Sequence, residues 1–256
     1  MSEQCYFIIN DTVSEQKSKI GCKNKKQIQN RSCCVEGDSN IMPKGSVELT
    51  NARKAEIVNA CEQLYKTIGF KEITLKEIGK VTSFTRTSIY NYFQTKEEIF
   101  LEILKKEYVL WIEELQQIMD DNDKLSRMEF AEKIARSLDN RAQLLKILSM
   151  NMYDMEENSR MENLVEFKKI YGESMRVMLS CIGKFFAEST ITARQTFMYQ
   201  FFPFVYGVYP YTEVTEKQRE AMKEAGIDYT YQSIYELTYN CLMQLLGALE
   251  EAKEQK

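Results

Sequence analysis

The chain has 256 residues, 44% of them hydrophobic and 28% charged, enough to bury one large core or two smaller ones. It contains no histidine, which removes Ser-His-Asp triads, His-paired cysteine nucleophiles and every His-ligated metal site. Ten glycines and three prolines are well below the usual shares of roughly 7% and 5%, so long helices and an all-α fold are expected. The net charge of -4 is uneven, because residues 50–110 carry 10 basic and 8 acidic side chains whereas residues 111–256 carry 17 and 24. A mildly basic module on an acidic body suits a phosphate-binding head. Seven irregularly spaced cysteines point to a reducing, cytoplasmic setting. The most apolar stretch, residues 201–210, is too short to span a bilayer and holds Pro203, so no membrane partner is expected. No cofactor is expected, since Cys22, Cys33 and Cys34 lack paired Cys-x-x-Cys spacing.

Residues 1–46 are polar and lysine-rich, and read as a flexible tail, with Met42 offering a second initiation point. From Leu49 the pattern turns helical: Ile57, Ala60, Cys61, Leu64, Tyr65 and Ile68 recur every three or four residues, and Gly69 is placed as the helix-ending C′ residue. Thr74 and Glu77 form a capping box, with Ile73 and Ile78 as hydrophobic staple, opening a short second helix that ends near Val81. Phe84, Thr85 and Ile89 repeat that grammar and open a third helix predicted to reach about Phe93. Thr95 and Glu98 open a long fourth helix running to about Met119. Two short helices around a three-residue turn make a helix-turn-helix.

Further capping boxes are read at Ser126 with Glu129, Ser159 with Glu162, Thr192 with Gln195 and Thr215 with Gln218. A last helix is expected from about Asp228 to Ala252. Ile234, Leu237, Cys241, Leu245 and Leu249 lie on one of its faces and Tyr235, Tyr239, Leu242, Met243 and Leu246 beside it. So wide an apolar surface needs two partners, one of them a second copy of the chain.

With Ile89 and Phe93 facing inward, Arg86, Thr87, Ser88, Tyr90, Asn91 and Tyr92 are left facing out, and all six side chains can donate hydrogen bonds. A recognition helix enters the major groove by its N-terminal end, where arginine bridges guanine O6 and N7, so Arg86 is the leading base reader. Thr85, Tyr90, Tyr92 and Lys96 are placed on the phosphate backbone. The alternative is a helical adaptor that uses the same exposed face for protein contacts.

Arg53, Ile57, Ala60, Gly69, Thr74 and Ile78, the run from Phe84 to Phe93, and Lys96 to Phe100 together resemble the DNA-binding domain of TetR-type transcriptional regulators over residues 50–110. The resemblance implies phosphate contacts from Thr74, Thr85, Tyr92 and Lys96, and base contacts from among Arg86, Thr87, Ser88 and Asn91, with Tyr90 serving either purpose. Ser83 and Thr87 stand where the family usually or often has glycine, so its base preference does not transfer. Residues 111–256 then correspond to a helical-bundle domain for effector binding and dimerisation. Its last two long helices, about Thr192 to Tyr206 and Asp228 to Ala252, would pair across a homodimer on double-stranded operator DNA. A small, mainly apolar effector would release that dimer. Met152, Tyr153, Phe167, Tyr171, Met175, Phe201 and Phe204 are candidate pocket residues. Cys181 and Cys241 read as inert core thiols. No residues suggest a catalytic constellation, so an enzyme is not expected.

Overall fold

The computed structural model describes residues 44–252, so residues 1–43 of the tail expected over residues 1–46, with Cys22, Cys33 and Cys34, lie outside the described residues. Ten α-helices follow in order: α1 Lys44–Tyr65, α2 Leu75–Lys80, α3 Arg86–Ile89, α4 Lys96–Asp121, α5 Arg127–Asp139, α6 Ala142–Glu157, α7 Met161–Phe185, α8 Ile191–Gly207, α9 Glu216–Glu224 and α10 Ile234–Glu251. A one-turn 3-10 helix, Tyr209–Tyr211, follows α8. There is no strand among the described residues, and no helix is long and apolar enough to cross a membrane.

The head is built from local signals. Thr74, Thr85 and Thr95 cap α2, α3 and α4, each side chain accepting the N–H three residues on. Each cap satisfies one of the donors that a helix start leaves unpaired, worth about 1 kcal/mol. Behind the caps, Ile57, Cys61, Ile73, Ile78, Ile89 and Phe93 bury completely or nearly so. Phe100, on the first turns of α4, takes the edges of Tyr65 and Phe70, so α4 belongs to the head and the body alike.

Several boundaries differ from those read in the sequence. The first helix starts at Lys44, inside the expected tail, and ends at Tyr65 rather than at Gly69. Gly226 is the glycine with a left-handed φ, and Gly69 instead accepts the turn bonds of Glu72 and Ile73 through its carbonyl. The third helix closes at Ile89, since the Asn91 and Tyr92 N–H groups bond three residues back, to the Ser88 and Ile89 carbonyls, rather than four. The last helix starts at Ile234 rather than near Asp228, with Ser233 as N-cap in a full capping box with Glu236.

The body is a helical bundle in which α4 packs along α7 and α10 along α5, with α6 and α8 filling the remaining sides. At its centre Tyr108 and Trp111 of α4, Phe167 and Tyr171 of α7, and Phe202 and Tyr206 of α8 meet in edge-on or tilted contacts. Trp111 Nε1 donates to Ser137 Oγ at 3.1 Å, and Ser137 passes its own proton to the Ile134 carbonyl. Burial pushes the Cys61 and Cys181 thiols up to about 12, leaving both protonated and inert at neutral pH.

Candidate nucleic-acid interface

The α2–α3 pair is held at a close angle by one small residue and one distant carboxylate. A Cβ on Gly79 would sit 3.3 Å from both the Arg86 nitrogen and the Phe84 oxygen, so glycine is what lets the start of α3 lie against α2. In the intervening turn Thr82 Oγ1 donates to the Ile78 carbonyl at 3.1 Å, and the Ser83 N–H donates to Glu56 Oε1 at 2.8 Å. The bonds from Ser83, its backbone N–H first, hold the exposed Glu56 carboxyl below its ordinary range. Neither Gly79 nor Glu56 was singled out from the sequence. Glycine inside a six-residue helix was the available signal for the first; a carboxylate 27 residues from its partner gave none.

Arg86, Thr87, Tyr90 and Asn91 are exposed, whereas Ser88 and Tyr92 are half-exposed, Tyr92 packing beside Phe84. Several of them are held by side-chain bonds. Arg86 Nη2 donates to the Tyr90 hydroxyl at 3.0 Å, with its guanidinium 5.6 Å from the ring centroid. Arg53 Nη1, from α1, donates to the Tyr92 hydroxyl at 3.1 Å. Thr85 and Ser88 share a hydroxyl–hydroxyl bond of 3.0 Å beside the N-cap bond. Thr74 is exposed at the start of α2. Lys96 is half-buried, with Nζ 2.6 Å from the Phe70 carbonyl and 4.2 Å from the Phe70 ring centroid. Its ammonium is anchored on one side and has two further protons to donate.

Where head meets body, Glu98 is 1% exposed, a charge that needs full pairing at such depth. It accepts from Arg160 Nε at 2.6 Å, Arg160 Nη2 at 3.0 Å, the Arg160 N–H at 3.2 Å and the Gln94 N–H at 2.8 Å. Burial raises its carboxyl, but these bonds, the Arg160 side chain foremost, outweigh burial and leave it below the ordinary carboxylate range. The expected box between Thr95 and Glu98 is therefore half made: Thr95 caps, but the Glu98 carboxylate goes to Arg160. Thr74 likewise caps α2 while Glu77 turns to Lys80.

Two family models match the chain: "Bacterial regulatory proteins, tetR family" over residues 57–103 and "Tetracyclin repressor-like, C-terminal domain" over residues 105–249. The chain belongs to the TetR family. Among curated relatives it is 35% identical over 65 residues to the uncharacterized HTH-type transcriptional regulator YfiR of Bacillus subtilis, and 24% identical over 87 residues to the HTH-type transcriptional regulator RutR of Escherichia coli. These matches cover 25% and 31% of this chain and only 32% and 41% of the relatives' lengths. A crystal structure from Mesorhizobium loti MAFF303099, assigned to TetR-family transcriptional regulators, superposes with a TM-score of 0.51 at 14% identity, covering 80% of this chain and 98% of that one. That likeness supports the fold.

Within the TetR-type body the expected effector residues do not all share one environment. Met152, Phe167, Met175 and Phe201 are buried, and Tyr171 and Phe204 are half-buried against the same core. Tyr153 is 87% exposed and lines no interior space, because α6 turns it outward while Met152 and Met155 face in. The Tyr108 hydroxyl is wholly buried beside Tyr206 and Tyr171, and burial first, then these neighbours, pushes its pKa well up. On α10 the buried line is Ile234, Thr238, Leu242, Leu246 and Leu249, against α5 and α8. Leu237, Cys241 and Leu245 on one flank and Tyr235, Tyr239 and Met243 on the other are only half-covered. Neighbouring α8 leaves Ile191, Tyr199 and Pro203 exposed.

Proposed function

We propose that this chain is a DNA-binding transcriptional regulator that acts as a homodimer, represses from a near-palindromic operator and is released by a small, mainly apolar effector. The observation that carries the reading is the exposure of Arg86, Thr87, Tyr90 and Asn91 with half-exposed Ser88 and Tyr92, braced by Thr85 and Arg53 about a fully buried Ile89, on a chain of this family. Arg86, Thr87, Ser88 and Asn91 are assigned to base edges. Thr74, Thr85, Tyr92 and Lys96 are assigned to phosphates, and Tyr90 steers Arg86 through the bond between them.

The half-covered flanks of α10 and the exposed residues of α8 support pairing of these two helices across a dimer, which would set two heads about one DNA turn apart. The buried set Met152, Phe167, Met175 and Phe201, with half-buried Tyr171 and Phe204, is the candidate effector wall, the buried Tyr108 hydroxyl offering the polar handle that an otherwise apolar site needs. The setting proposed is cytoplasmic, and the family is one of regulators rather than enzymes.

Footprinting of the purified chain on the DNA upstream of its own gene tests the reading. Protection of two half-sites one turn apart, weakened steeply by salt, is the expected result. A chain that protects no sequence above background there, yet captures a protein partner through the same face, is the adaptor instead.

A further inference from the structure

The sequence around Ser159, Arg160, Met161 and Glu162 spells a capping box, yet the structure leaves that box open. α7 begins one residue later, at Met161, with Arg160 in the N-cap position at φ -62 and ψ 144 and no side-chain cap. Ser159 Oγ is buried without a hydrogen-bond partner. Glu162 reaches only to Arg160 Nη1, at 3.5 Å. Glu98 is what holds the box open, because it takes the Arg160 backbone N–H and side chain together. Arg160 Nη2 also reaches the Tyr92 carbonyl at 3.5 Å, and Thr95 Oγ1 donates to the Asn158 carbonyl at 3.0 Å. Asn158 and Arg160 of the body thus lie against the segment that joins the DNA-reading turn to α4.

Two arrangements are open to these few residues, differing in the Arg160 backbone. Turning the Arg160 ψ from extended to the helical value of about -42° would add one residue to α7, make Ser159 its N-cap and let Glu162 close the box. With α7 held in place by its packing along α4, that rotation swings what precedes the bond, the Arg160 N–H and guanidinium included, off Glu98. A buried hydroxyl left unpaired in one state and capped in the other marks a discrete alternative rather than a gradual deformation.

We propose that the α6–α7 junction is a two-state positioning device, in which Arg160 docked on Glu98 holds the DNA-reading segment in place and closure of the Ser159–Glu162 cap releases it. This rests on the regulator reading above. The junction is well placed for the task, since Met152 and Met155 on α6 and Phe167, Tyr171 and Met175 on α7 flank it. Arg160 is a positioning residue here and touches no DNA.

The test is fluorescence anisotropy of the full chain on the footprinted duplex, with circular dichroism as a folding control. Glu98→Gln should weaken binding about tenfold or more while leaving the salt slope unchanged, since no phosphate contact is lost. Adding Ser159→Ala to that variant should recover about fivefold, because the released state then loses its N-cap, worth about 1 kcal/mol. Arg160→Gln opens the same junction and should be rescued in the same way. In the wild-type background Ser159→Ala removes an orphan hydroxyl and should slow amide exchange across residues 85–95 about fivefold.

Wild-type-like binding by Glu98→Gln and Arg160→Gln, or no recovery from Ser159→Ala in either, overturns the proposal while the regulator reading stands. Should neither opened variant fold, unchanged exchange in Ser159→Ala overturns it equally. A wild-type chain that binds no duplex sinks both together.

Discussion

Tyrosine is used in opposite ways in the head and the body. Tyr90 and Tyr92 keep their hydroxyls at the surface, each accepting from an arginine, so ring and guanidinium form one polar, braced face. Tyr108 and Tyr206 bury rings and hydroxyls in an aromatic centre that drives both pKa values up. The head is thus specified by what it leaves outside and the body by what it packs inside. Substitutions should therefore separate cleanly into losses of binding and losses of stability.

The largest effect is expected at the body's centre. Trp111→Ala should cost about 3–5 kcal/mol in chemical denaturation, since it empties a fully buried site and removes the donor to Ser137 Oγ. Arg86→Ala should leave that denaturation midpoint in place but cost about 1–3 kcal/mol in duplex binding and relax one base position in a selection experiment. If Arg86→Ala unfolds the head instead, the division between the two regions fails.

Acid should strike the seam between them first. Glu98 has a lowered folded-state pKa, so its contribution is present above the ordinary carboxylate range of about 4.3 and is lost as pH falls through the folded value. Hydrogen exchange followed downward in pH should show residues 92–98 and 158–162 losing protection together below about pH 4. Thr85→Ala should cost about 1 kcal/mol by loss of the α3 cap. Tyr153→Ala, at an exposed position, should stay within about 0.5 kcal/mol of the parent.

The same contrast explains what was legible in the sequence. Caps and staples act within four residues, so α2, α3, α4, α5, α9 and α10 start where Thr74, Thr85, Thr95, Ser126, Thr215 and Ser233 put them. Of these starts, the one at Ser233 was read about five residues too early. The exposure of Arg86, Thr87, Tyr90 and Asn91 was legible for the same reason, since burial of Ile89 and Phe93 constrains the residues around them.

Where a distant group intervenes, local rules lose. The Ser159 box yields to Glu98, 62 residues away in the chain. The Thr192 box yields to Thr190, which caps α8 while its backbone N–H is fastened to the Ala252 carbonyl. The third helix falls short of Phe93 because its backbone tightens to three-residue bonds at Asn91 and Tyr92, and the Gln94 N–H is spent on Glu98. Tyr153 went to the wrong side because an apolar run with several candidate faces does not reveal which one meets the core.

The most direct test of the whole account is sedimentation of the purified chain with a duplex carrying its footprinted site, at low and then physiological salt. The account predicts a complex of two chains per duplex that dissociates as salt rises and is lost with Arg86→Ala. A chain that sediments alone and leaves the duplex free, even at low ionic strength, would contradict it.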